Sequence, residues 1–234
     1  MNKYLRKLFD DHKNLSEKRE NNLRNIKKHT LFSDPRGGQL LKLSKEIIND
    51  VVQNRPNEAR TKIKIGEALI RNFHKDLLSL KKTIGMYVME SVLPLKELQN
   101  VKLEQLEESF EKAKEEFLEG KILYIYISQG KLYMPTEKHL KSFDTYAGAL
   151  SDFCGELVRK ARSEAVASVV NIHESIKRYR KTTEEIFHML SEFAFSNSGG
   201  NRYKIEQLKG FLDLFDQFSY DLKVIHKDAI KDRK

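Results

Sequence analysis

DTYAGALSDFCGELVRKARSEAV, residues 144–166, is the stretch on which the reading of the fold turns. In and just beyond it, Leu150, Phe153, Leu157, Ala161, Ala165 and Val169 recur at steps of three and four, the spacing that lines side chains along one stripe of an α-helix. The pattern predicts a helix from about Thr145 to Ile172, buried along that stripe. Upstream, Leu103, Leu106, Phe110, Ala113 and Phe117 mark another helix. Earlier still, a helical stretch starts near Leu40 and runs through Ile47, Ile48, Val51 and Val52. Asn54, Arg55 and Pro56 are placed to interrupt it, and it resumes from Ile63 through Phe73, Leu77 and Ile84 to about Leu93. Downstream, helices are expected from Thr183 to Phe195 and from about Tyr203 to Ile225, parted by SNSGGN at 196–201.

The ends and one middle segment read less sharply. Residues 2–32 are basic and carry Leu5, Leu8, Phe9, Leu15, Leu23 and Ile26 at thin helical spacing, and Ser33 to Gly38 make the first clear break. Residues 227–234 read as a loose tail. In KILYIYISQGKLYMP, residues 121–135, Ile122–Ile127 has strand propensity and Gly130 can turn a hairpin with Leu132–Met134. A buried helix end is the competing reading, which periodicity alone does not exclude. Thr136 is a candidate N-cap for a short helix after it.

Composition agrees with an all-α protein. Only 4 prolines and 11 glycines punctuate 234 residues, of which 33% are charged, as suits long helices joined by few turns. The formal charge of +9 makes a polyanion a plausible partner. The lone Cys154 excludes an internal disulfide and a multi-cysteine zinc cluster. No window approaches the roughly 18 apolar residues of a membrane span, so a soluble, cytoplasmic protein is expected. The seven histidines show no metal-ligand spacing.

Two pairs of acids lie beside apolar stripes. Glu116 and Glu119 are three apart next to Phe117, and Asp152 and Glu156 are four apart next to Phe153. If their helices pack together, four hard oxygen ligands converge, a set suited to Mg²⁺ or Mn²⁺ and to phosphodiester chemistry. Glu116 and Glu119 also belong to an acidic run with Glu107, Glu108, Glu111 and Glu115, whose ordinary role is a solvated face. Spacing does not choose four carboxylates from 34. Arg159 and Lys160 follow Glu156 by three and four residues and extend its face, either to contact RNA phosphates or to orient the acids. Lys177, Arg178, Arg180 and Lys181, around Tyr179, form the densest basic cluster. That cluster reads either as an RNA-backbone contact or as charge complementing a helix end.

The 144–166 stretch resembles the signature of the translin family, which comprises translin and its partner TRAX, the translin-associated factor X. There a Tyr- and Gly-containing segment leads into Asp-Leu-x-Gly-Glu-Leu-x-Arg and a run of small residues. Tyr146, Gly148, Asp152, Gly155, Glu156, Leu157 and Arg159 stand at those places. EFLEG, 116–120, is similar to the TRAX segment Glu-Tyr-Val-Glu-Ala, and NRYKIEQLKGFLDLFDQFSYDL, 201–222, resembles the family's closing helix through Arg202, Lys204, Leu208, Lys209, Tyr220 and Asp221. KLSKEI at 42–47 echoes a first-helix motif, and the resemblance covers about 110–225.

The resemblance implies one domain over 1–234, a seven-helix antiparallel bundle of translin type, with 1–35 a weakly matched basic helix. It favours helix over hairpin at Ile122–Ile127. It implies a TRAX-like subunit whose Glu116, Glu119, Asp152 and Glu156 hold Mg²⁺ and cut single-stranded RNA. The subunit would assemble into a hexameric or octameric homo-oligomeric barrel, or pair with a translin-like partner. The alternative is a non-catalytic translin-type subunit that binds single-stranded RNA or DNA.

Overall fold

Among the residues that the computed structural model describes, 35–89, 103–133, 143–167, 171–196 and 202–231, with Asn14, Glu17 and Asn21, the apolar stripes from Leu40 onward are helical. Six long helices result: α1 Arg36–Val52, α2 Pro56–Met89, α3 Leu103–Gln129, α4 Phe143–Val166, α5 Ile172–Ser196 and α6 Arg202–Lys231. No strand occurs among the described residues. Seven helices were expected; the one read after Thr136 lies outside the described residues, as does all of 2–32 except Asn14, Glu17 and Asn21, which are helical.

Helix α3 packs against α1, α2 and α4, while α4 also packs against α5 and α6. Leu40, Ile47, Ile122, Leu123, Phe153, Leu157, Leu208 and Phe215 are fully buried where these stripes meet. Burying such side chains contributes roughly 1.5–3 kcal/mol each before chain entropy is set against it. Small residues set how closely the helices approach. A Cβ on Gly120 of α3 would stand 3.3 Å from Ile47 Cγ2 and 3.4 Å from the Ser44 carbonyl oxygen of α1. At the same level the Ser44 hydroxyl donates to the Glu116 carbonyl. A Cβ on Gly66 of α2 would lie 2.1 Å from Cε2 of the buried Phe117 ring.

The ambiguous segment is helix, because Ile122, Leu123 and Tyr126 fall on one face of α3 and are buried there. Gly130, at φ 69°, ends α3, and its N–H reaches the Tyr126 carbonyl at 2.8 Å. Three further boundaries differ from the sequence reading. Helix α1 starts at Arg36, so Gly37 and Gly38 sit in its first turn. The expected 145–172 helix stops at Val166, and Asn171 at φ 70° precedes a new helix that starts eleven residues before Thr183. The Asn171 carbonyl accepts the N–H groups of Glu174 and Ser175 at 2.9 and 3.1 Å, starting α5 without glycine or proline. Helix α6 continues to Lys231, so residues 227–231 are helical, not a loose tail.

The close approach of α2 to α3 has a measurable consequence. Gly66→Ala should lower unfolding free energy by about 1–3 kcal/mol through overpacking against Phe117. Gly210→Ala on α6, where nothing stands within 4 Å of the new Cβ, should stabilise by about 0.5–1 kcal/mol. Urea unfolding of the two variants checks this; equal effects would contradict the assigned packing.

Candidate active site

The packing of α3 on α4 gathers the acids that the sequence singled out. Glu119 is 7% exposed, the most buried carboxylate of the group. Burial pushes its pKa up to about 8, and the negative charges of Glu156, Asp152 and Glu116 add to the rise, with Lys204 opposing it. Burial also raises Glu156, against the pull of Arg159. Arg159 Nη1 lies 3.2 Å from Glu156 Oε2 and 3.4 Å from Oε1, and only the second contact has hydrogen-bond geometry. Glu156 Oε2 is therefore buried without a hydrogen bond. Glu116 is exposed and its main chain, not its carboxylate, is engaged by Ser44.

Two residues of the site were not singled out by spacing. Lys204, in the first turn of α6, donates from Nζ to Asp152 Oδ1 and Oδ2 at 2.8 and 2.6 Å. It also pairs with Glu115 Oε1 at 3.6 Å. Glu115, one turn before Glu119, is raised by burial and lowered by Lys204. Its carboxylate occupies the space that a side chain at residue 148 would need, since a Cβ on Gly148 would lie 1.9 Å from Glu115 Oε1. A signal for Lys204 was available: no acid stands three or four residues away on α6, so its charge is free to seek another helix.

The basic residues divide. Arg159 is about half exposed at the edge of the acids, on Glu156. Lys160 does not extend the acid face. One residue further along α4 turns it by about 100°, and it is buried with Nζ on the Val52 carbonyl at 3.2 Å, Asn54 Oδ1 at 2.6 Å and Glu164 at 3.5 Å. It thereby serves the C-terminus of α1, whose last carbonyls lack helical partners. Residues 177–181 lie in the first half of α5, so they do not complement a helix C-terminus. Tyr179 is core, and Arg178 lies over the rings of Tyr126 and Tyr179 at 5.7 and 5.3 Å. Arg180 ties α5 to α6 through Asp216 at 2.6 Å and also meets Glu184 at 3.1 Å. Lys181 pairs with Glu185 at 3.8 Å, and Lys177 is exposed.

The donor chemistry fits a hard divalent cation: several carboxylates, one buried oxygen without a hydrogen bond, and mutual repulsion that a cation would relieve. As the structure stands, no three His, Cys, Asp or Glu side chains among the described residues lie close enough together to hold one, and the cation found on Asp152 is Lys204.

The six long helices among the described residues make an all-α fold of translin type. The particular likeness is to the crystal structure titled apo-NeC3PO, with a TM-score of 0.60 and 17% identity, covering 94% of this chain and 97% of that one. C3PO is the translin/TRAX complex. No family model and no curated protein sequence matches the chain. Among the described residues no helix is long and apolar enough to cross a membrane.

Glu119 should leave a mark on stability. Its ordinary value is 4.5 and its folded value is about 8. Below the lower value both states are protonated; as pH rises toward 8 only the unfolded state sheds the proton, so stability falls. In EDTA, Glu119→Gln should melt higher than the parent at pH 8 and show a flatter profile from pH 5 to 8. A parallel profile for the two proteins would remove Glu119 as the cause. Lys160→Met should cost about 3 kcal/mol in urea unfolding, because it leaves Glu164 without its cation and the Val52 carbonyl and Asn54 Oδ1 without their donor. RNA affinity of the folded variant should stay unchanged; weakened affinity at full stability would return Lys160 to the RNA-contacting set.

Proposed function

We propose that the chain is a Mg²⁺- or Mn²⁺-dependent endoribonuclease for single-stranded RNA, a cytoplasmic subunit of a translin/TRAX-like barrel. The observation that carries this reading is the buried carboxyl of Glu119, set among Asp152, Glu156 and Glu116 in a fold shared with C3PO. Those four acids would hold the ion. When bound, it would activate water and neutralise charge on the scissile phosphate.

The chain's own groups perform the remaining work. Glu119, held well above the usual carboxylate range by burial, would give up its proton on binding a cation. Arg159, bonded to Glu156 and about half exposed, fixes that carboxylate and presents spare N–H donors to an incoming phosphate. The α3–α4 packing holds the acids on rigid helices, which favours a fixed geometry over recognition of particular bases. Backbone contacts of this kind read no sequence, so cleavage within unstructured RNA is expected with weak base preference.

A second reading rests on Lys204. Because its ammonium already neutralises Asp152 and Glu115, a subunit that binds single-stranded RNA or DNA without cutting it is the alternative. Cleavage of a fluorescent single-stranded RNA separates the two. The enzyme reading expects Mg²⁺-dependent cutting, abolished by EDTA and lowered about a hundredfold or more by Glu119→Ala. Salt-sensitive RNA binding without cutting would support the alternative, and cutting that survives both EDTA and Glu119→Ala would sink the four-carboxylate site. Size in solution should correspond to a closed homo-oligomer of six or eight subunits or a complex with a translin-like partner; a monomer counts against the barrel.

A further inference from the structure

Lys204 stands where the acid cluster needs a cation. Its Nζ lies 2.8 and 2.6 Å from the two oxygens of Asp152, so both ligand atoms of that residue are engaged by one ammonium. A second acid, Glu115 on α3, lies 3.6 Å away. The Lys204 side chain thus spans from α6 to both acid-bearing helices. Its backbone is anchored beside Asp152, because the Ser151 hydroxyl donates to the Lys204 carbonyl at 3.4 Å. The side chain itself is 28% exposed and has four rotatable carbons through which to swing outward.

We infer that Lys204 is a tethered counter-ion that holds the place of the divalent cation in the resting site, so that metal loading and the Lys204–Asp152 contact oppose one another. This rests on the metal-dependent reading above. The reasoning is one of shared atoms. A divalent ion on the same Asp152 oxygens would bring its charge next to Nζ, so each cation raises the cost of holding the other there. When a cation takes Asp152, Lys204 is expelled but remains fixed by its backbone at the rim of a site whose substrate is a polyanion. The residue therefore sets the metal concentration at which the site loads, and after loading it supplies a positive charge next to the phosphate path. It is a positioning and threshold residue in this role, not one that takes part in bond breaking.

Two measurements on the full chain test the inference, both with Mn²⁺ as the probe. Lysine acylation followed by mass spectrometry should show Lys204 protected in EDTA and several-fold more reactive at saturating Mn²⁺, in a protein that needs no substitution. Mn²⁺ titration by electron paramagnetic resonance should show Lys204→Met binding about tenfold tighter or more. Lys204→Arg, which keeps the charge and can grip Asp152 with two donors, should bind no tighter than the parent. Lys209→Met, an equal charge removed from an exposed position of α6, should shift affinity less than about twofold, since exposed charge is screened. If Mn²⁺ binds while Lys204 reactivity stays constant, or if Lys204→Met and Lys209→Met behave alike, the shared-ligand inference is overturned and the metal reading stands. Failure of both the parent and Lys204→Met to bind Mn²⁺ overturns the metal reading and this inference with it.

Discussion

The burial of the Glu119 carboxyl between α3 and α4 ties the packing of the bundle to its chemistry. A carboxylate removed from water is destabilising unless a proton, a protein cation or a metal ion neutralises it. Three neighbouring acids push the Glu119 pKa the same way as burial, and Lys204 opposes them. The surrounding arrangement is intelligible as a response. Lys204 reaches across from α6 to the acids at the opening, Arg159 turns back onto Glu156, and Gly148 leaves the room in which Glu115 can meet Lys204.

One turn of α3 carries much of the resulting geometry. In the five residues from Glu116 to Gly120, each step rotates by about 100° and faces a different neighbour. The Glu116 carbonyl accepts from Ser44 of α1, the Phe117 ring lies over Gly66 of α2, Glu119 joins the acids of α4, and Gly120 returns to α1. A shift of this turn along its axis would therefore disturb three interfaces together. The site inherits its rigidity from that redundancy, since its acids stand on helices pinned from several sides and not on loops.

Helix existence was open to sequence reasoning, and helix boundaries much less so. Leu150, Phe153 and Leu157 announce α4, and Phe110, Ala113 and Phe117 announce α3, because burial imposes a period that survives in a single sequence. The break at Asn171 was hidden, because Ala165 and Val169 continue the apolar rhythm past the end of α4 and no glycine or proline marks the turn. That one missed turn carried residues 177–181 to the wrong end of a helix. Within the site, spacing paired Asp152 with Glu156 but placed Arg159 and Lys160 together, although neighbours on a helix point about 100° apart. Arg159 met the acid and Lys160 went to the core. Glu115 was masked by the acidic run around it, and Lys204 by a distance of 52 residues from Asp152 that local periodicity does not span.

The same charge balance explains why the fold alone leaves two functions within reach. A chain of formal charge +9 draws a polyanion toward its surface whether or not it can cut one. What differs is the species that neutralises the α3–α4 acids. A proton on Glu119 with Lys204 on Asp152 yields a neutralised, inert seam suited to binding. A divalent ion in the same place yields a Lewis acid beside the phosphate. On this reading the exchange is one of charge among side chains of the seam, which stand on helices held by their own packing. Selection between them then falls to Lys204, whose carbonyl lies 3.4 Å from the Ser151 hydroxyl and whose ammonium must give up Asp152 for the metal-loaded state.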